Sequence, residues 1–183
     1  MKARPHDAVG PSDDVCCRDD RVPTLLSDTR VVAYQPRHRD RFRALNLAWI
    51  TEHFRVEDAD RRALDDPEGY ILGHGGEILV AEDPDGSVMG VCALLRNDDG
   101  SFELAKMAVD PVARGRHIGR ALGEAAIARA RELGAPRVEL LSNTKLAPAI
   151  GLYRALGFVE VALPDTEYER ANIKMTLELG SAS

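Results

Sequence analysis

Cysteine is scarce: Cys16, Cys17 and Cys92 are the only three in a chain of 183 residues. Neighbours in sequence bridge only with strain, and Cys92 would then have no mate. A disulfide framework is therefore excluded, and a reducing compartment is expected. No second Cys pair or His pair follows at a ligand distance, so no metal site is expected. Long apolar runs are absent too. Nothing approaches the ~18 consecutive apolar residues of a membrane span, and the first residues carry Asp and Pro where a secretory leader needs an apolar run. A soluble, cytoplasmic protein without membrane attachment is expected. Positive charge is the third shortage: 24 Lys and Arg stand against 30 Asp and Glu, giving a formal net charge of −6. A field of that sign repels polyanions, so no nucleic-acid partner is expected.

What is present is a globular composition, 44% hydrophobic and 30% charged. At roughly 100 to 200 residues per domain, the length allows a single buried core. Residues 1–28 hold Pro5, Pro11, Pro23 and Gly10 with almost no periodic apolar pattern, which predicts a flexible tail. Residues 29–180 are read as the one folded domain, either a monomer or a homodimer.

The domain opens with a strand over Arg30–Tyr34, ended by Pro36. In Asp40–Phe54, Phe42, Leu45, Trp49 and Ile50 recur at three- and four-residue spacing, the mark of one buried helix face. A short acidic helix is predicted from about Glu57 to Leu64, punctuated by Asp66-Pro67. Strands over Glu77–Glu82, Val88–Leu95 and Phe102–Val109 are separated by Asp83-Pro84-Asp85-Gly86 and Asn97-Asp98-Asp99-Gly100, turns that predict an antiparallel meander. A helix over Ile118–Leu133, a strand over 137–141, a helix over Pro148–Leu156 and strands over Phe158–Ala162 and Asn172–Leu179 complete the chain. The strand-helix-strand portion requires a parallel pairing. The predicted fold is thus α/β in the α+β sense: a mixed, mainly antiparallel central sheet with one central parallel βαβ crossover and helices on both faces.

The stretch Arg114-Gly115-Arg116-His117-Ile118-Gly119-Arg120 lies between a strand and a helix. A helix start offers free N–H groups and the positive end of the dipole, and small residues let a phosphate approach. A pyrophosphate is the natural ligand. The spacing matches neither the Gly-Lys-Ser/Thr ending of a P-loop nor the Gly-x-Gly-x-x-Gly of a dinucleotide fold.

In this order and context, three blocks resemble the GNAT superfamily of acetyl-CoA-dependent N-acetyltransferases. Glu103-Leu-Ala-Lys-Met-Ala-Val109-Asp-Pro is similar to the family's fourth strand, Arg114–Gly119 to its Arg/Gln-x-x-Gly-x-Gly/Ala loop, and Leu152-Tyr153 to Gly157-Phe158 to its Leu-Tyr-x-x-x-Gly-Phe block. The resemblance implies acetyl-CoA as cosubstrate, no metal, and transfer to a primary amine by direct attack in a ternary complex. It also implies roles. Backbone groups of Met107, Ala108 and Val109 would pair with the pantetheine arm, and one of their N–H groups would polarise the acetyl carbonyl. Amides of Arg114, Gly115, Arg116, His117, Ile118 and Gly119, with Arg120 adjoining, would hold the pyrophosphate. Tyr153 would protonate the departing thiolate, and Glu103 would be the general base; the rival readings are a core Tyr and an exposed strand Glu.

Two positions depart from the family pattern. His117 stands where the loop has Gly, so either that backbone position tolerates a Cβ or the loop differs locally. Leu146 stands where many relatives carry an Asn that holds the CoA arm; Asn143 is read as its substitute or as a turn residue. The acceptor would lie between Trp49–Pro67 and Pro164–Arg170. The acidic residues of both segments point to a cationic amine, unless they form only a solvated face. A peptide acceptor and a non-catalytic CoA sensor are the alternatives.

Overall fold

The computed structural model describes residues 28–180. The tail expected over residues 1–28, with Cys16 and Cys17, lies outside the described residues except for Asp28. The chain runs β1 (Arg30–Ala33), α1 (Arg39–His53), α2 (Asp58–Asp65), α3 (Pro67–Tyr70), β2 (Glu77–Glu82), β3 (Val88–Arg96), β4 (Phe102–Val109), α4 (Ile118–Glu132), β5 (Arg137–Ser142), α5 (Ala147–Ala155), β6 (Val159–Val161) and β7 (Ile173–Glu178). Only α3 was not expected. Asp66 and Pro67 do more than end α2: the Gly69 N–H donates to Asp66 Oδ1 (3.1 Å) and Pro67 opens the new turn.

The strands form one sheet in the order β1-β2-β3-β4-β5-β7-β6, with β4 and β5 parallel and the other neighbours antiparallel. Alternation along β2 and β3 splits the core in two. Ile78, Val80, Val91 and Ala93 pack on the α1 and α2 side with Phe42 and Ile50. Leu79, Ala81, Cys92 and Leu94 pack on the α4 side with Leu122 and Ala126. Period-2 patterning thus places a helical layer on each face.

β4 breaks this alternation. Phe102 and Leu104 belong to the α4-side core, yet Ala108, an even number of residues on, belongs to the α1-side core. The inversion comes from one extra residue. Val91 pairs with Ala108 and Ala93 with Ala105, so Cys92 of β3 faces both Lys106 and Met107 of β4. Lys106 takes a φ of 51° to make this bulge. Parallel pairing with β5 holds only at Phe102↔Val138 and Glu103↔Glu139, so β4 has no strand partner on that side from Leu104 onward.

α4 follows the free end of β4 and lies close on the sheet because residue 90 is glycine. A Cβ there would come within 2.8 Å of Ile118 Cγ2 and 3.0 Å of Leu122 Cδ1. Gly90→Ala should destabilise the protein by about 1–3 kcal/mol through overpacking. Denaturant titration measures this, and an unaltered midpoint would disprove the close approach.

Candidate active site

A cavity of about 100 Å³ lies where β4 leaves β5. Because the gap passes through the sheet, it gathers residues from both faces. Glu103 is on the α1 and α2 side, two residues before Ala105, whose partner Ala93 faces that core. Tyr153 of α5 packs against the opposite core, edge-on to Phe158 with ring centroids 6.1 Å apart. Both line the one cavity, with Trp49 and Phe54 on another wall.

Glu103 accepts no hydrogen bond from the described residues. Burial, reinforced by Glu139 and Glu167 against Lys106 and Lys174, pushes its carboxyl up to about 7. Burial likewise raises the Tyr153 phenol to about 12, with a smaller contribution from the Cys92 thiol. Near neutral pH the carboxyl is therefore close to its midpoint and the phenol is protonated.

Part of the cavity wall is an ionic cluster that sequence reading missed. Lys106 Nζ donates to Asp60 Oδ1 (2.8 Å) and Tyr168 Oη (3.0 Å). Arg170 grips the same carboxylate in bidentate fashion, Nη1 to Oδ2 (2.7 Å) and Nη2 to Oδ1 (2.8 Å), and pairs with Glu57 (3.1 Å). The Glu57 N–H donates to Asp60 Oδ2 (3.0 Å) at the start of α2. Asp60 is 0% exposed. Burial alone would raise its pKa, but Arg170 and Lys106 overcome that and hold it at about 2. The acidic run of α2 is thus no uniform solvated face. The one available signal was Lys106 itself, a cation in a strand whose residues from Leu104 to Val109 are otherwise apolar.

The stretch from Arg114 to Arg120, expected to face a phosphate, runs through a loop into α4. Gly115 and His117 have φ of 83° and 59°, so the position where family members keep Gly does require the left-handed region here, and His117 occupies it. The amides of Gly115, His117, Ile118, Gly119 and Arg120 donate to no described residue, and a Cβ on Gly115 would meet nothing within 4 Å. The arginines are engaged elsewhere. Arg114 pairs with Glu52 (2.9 Å), Arg116 with Asp83 (2.6 Å) and Arg120 with Glu124 (2.8 Å). Asn143 lines the cavity, but its amide already works locally: Nδ2 donates to the Arg170 carbonyl (2.6 Å) and Oδ1 accepts from the Lys145 N–H (2.9 Å). Leu146 lines the cavity beside it, as does Trp49; His53, stacked on Trp49 at 5.2 Å, does not. Among the described residues no group of three or more His, Cys, Asp or Glu is placed to hold a metal ion.

Comparison with known proteins agrees with this geometry. A family model for the acetyltransferase (GNAT) domain matches residues 74–160, which span the β2–β4 meander, the loop, α4 and α5. Residues 74–160 are a GNAT acetyltransferase domain. Mycothiol acetyltransferase of Clavibacter sepedonicus is 32% identical over 128 residues, 70% of this chain and 41% of the relative. The chain spans about half or less of the length of the mycothiol acetyltransferases it matches. A GNAT-family acetyltransferase of Staphylococcus aureus superposes with a TM-score of 0.76 at 22% identity, over 83% of this chain and 99% of that one. An acetyltransferase of Bacillus subtilis solved in complex with CoA superposes with a TM-score of 0.64 at 22% identity, over 82% and 99% of the two chains.

In this GNAT domain the residues present fit CoA. The unpaired side of β4 offers main-chain groups to an extended arm, and the free amides at the start of α4 offer donors to phosphate oxygens. The Asp60 cluster supports part of the cavity wall. Folding lowers the Asp60 pKa, so its stabilisation of about 2 kcal/mol is present above the unfolded value near 4 and is lost as pH falls toward 2. Asp60→Asn should cost about 3–5 kcal/mol at neutral pH, because Lys106 loses the one carboxylate it pairs with among the described residues and Arg170 its closest. It should also flatten the stability profile between pH 4 and 2. Chemical denaturation of both proteins across that range is the measurement, and parallel profiles would disprove the assignment.

Proposed function

We propose that this chain transfers an acetyl group from acetyl-CoA to a primary amine of a small acceptor, by direct attack in a ternary complex. The observation that carries the reading is the cavity at the open edge of β4, with Glu103 and Tyr153 both on its wall. Acetyl-CoA supplies an activated thioester carbonyl. Met107, Ala108 and Val109 bind the pantetheine arm along β4, and the amides of residues 114–119 bind the pyrophosphate.

Glu103 takes a proton from the incoming ammonium, directly or through water. A β4 amide donates to the acetyl oxygen as charge builds on it. The amine nitrogen forms its bond to the acetyl carbon as the carbon–sulfur bond breaks, and Tyr153 gives the sulfur a proton. The ammonium sheds two protons in becoming an amide. One ends on the thiol and the other leaves for water, so each turnover releases one proton.

A small acceptor is favoured over a peptide by the cavity's size of about 100 Å³, walled in part by Trp49, Phe54, Tyr168 and Arg170. The charge count of the acidic segments no longer argues for the acceptor's sign. Asp60, Glu57, Glu167 and Glu52 are all spent on arginines or Lys106.

Calorimetric titration with CoA tests binding, and silence at millimolar ligand would end the proposal. Released thiol followed across a panel of amines tests transfer and separates an enzyme from a CoA sensor. Tyr153→Phe should lower kcat by about 10- to 100-fold with CoA affinity retained. Because Glu103 works as the carboxylate, kcat/KM should rise with pH through an inflection near 7. Glu103→Gln should lower the rate and abolish that inflection; an unaltered profile would remove Glu103 from the mechanism.

A further inference from the structure

The cavity wall has unspent hydrogen-bonding capacity of two kinds in two places. Asp60 has none left: Oδ1 accepts from Lys106 and Arg170, and Oδ2 from Arg170 and the Glu57 N–H, four donors on four lone-pair sites. Glu103 is the carboxylate on this wall with open lone pairs, since no described residue donates to it. The donors tell the opposite story. Lys106 Nζ has three N–H groups and gives two, to Asp60 and Tyr168. Arg170 has five and commits only those of its Nη1 and Nη2 that reach Asp60 and Glu57; its Nε–H reaches no described residue. Glu57 does not line the cavity. Two cations and the saturated Asp60 therefore stand on one part of the wall, and an open carboxyl stands on another.

A simple amine would use Glu103 and leave the spare donors of Lys106 and Arg170 without a counter-charge; the Lys106 side chain is only 4% exposed and that of Arg170 18%. A substrate that also carries an anionic group answers them. Resting on the acetyl-transfer reading above, we propose that the acceptor is of amino-acid type. It would carry a primary amine that meets Glu103 and, on the same small molecule, a carboxylate that Lys106 and Arg170 receive. The carboxylate adds to a network already held rigid by Asp60, so its binding demands little further ordering of the two side chains. Lys106 and Arg170 are then specificity-determining residues. The Lys106 bulge has a second purpose beyond opening the sheet: it turns a strand lysine toward the acceptor.

The test compares matched substrates. Released CoA is followed with α-, β- and γ-amino acids, each beside its carboxamide and its decarboxylated amine, using the full chain and acetyl-CoA. In the pairs that turn over, kcat/KM should favour the carboxylate by about 10- to 100-fold, the size of a charge-assisted hydrogen bond. Lys106→Met should shrink that ratio toward one, mainly through KM of the carboxylate member. The wild-type comparison decides the matter even where the variant fails to fold. CoA release with equal or reversed preference in every pair would overturn the carboxylate site and leave acetyl transfer standing. No CoA release with any amine would overturn both.

Discussion

An unpaired strand edge in the middle of a sheet is an unstable arrangement unless something outside the sheet holds it open, because main-chain donors and acceptors otherwise close up with their neighbour. Here β4 and β5 run together for two residue pairs and then part. The cavity and the unpaired main-chain groups follow from that separation. Its local cause is one extra residue at Lys106. A lysine at φ 51° carries a conformational cost of about 1–2 kcal/mol that a glycine would not. The side chain reaches the buried Asp60, a contact glycine has no means to make.

Asp60 is accordingly the tie between elements far apart in sequence. It joins α2 to β4 through Lys106 and to the segment before β7 through Arg170. Tyr168 lies between the two cations, with Lys106 Nζ 4.8 Å and the Arg170 guanidinium 4.9 Å from its ring centroid. A buried ion pair contributes little net stability once desolvation is counted, but removing one member leaves an uncompensated charge. Such a cluster fixes position more than it adds stability. What it fixes is the part of the cavity wall formed by Lys106, Tyr168 and Arg170.

Most of the fold was legible because period-2 and period-3.6 patterns and Asp/Asn-Gly turns are local. Every predicted strand and helix is present within a residue or two of its expected ends. Glu103 and Tyr153, singled out by their place in a recognisable order, both line the cavity, and the stretch from Arg114 to Arg120 leads into α4. The ionic wall was not legible, because Asp60, Lys106 and Arg170 are 46 and 64 residues apart along the chain and meet only through the bulge. Reading the acids of α2 by their number suggested negative charge facing an acceptor. Burial reverses this, since the acid that reaches the cavity is the one fully consumed by its partners.

The same correction applies to the loop after β4. Three arginines at a helix start look like the anion site itself, yet each is engaged by a carboxylate: Glu52, Asp83 or Glu124. With side chains so engaged, the groups left to face a phosphate are the amides of residues 115 and 117–120. They act as a fixed array of dipoles rather than as mobile point charges. An array of that kind needs backbone held in the left-handed region at Gly115 and His117, and the arginine pairs pin the loop in that shape against α1 and the β2–β3 turn. Under the proposed function, a protein of net charge −6 would bind a pyrophosphate there because the attraction would come from geometry at one helix end, and not from a surplus of positive side chains.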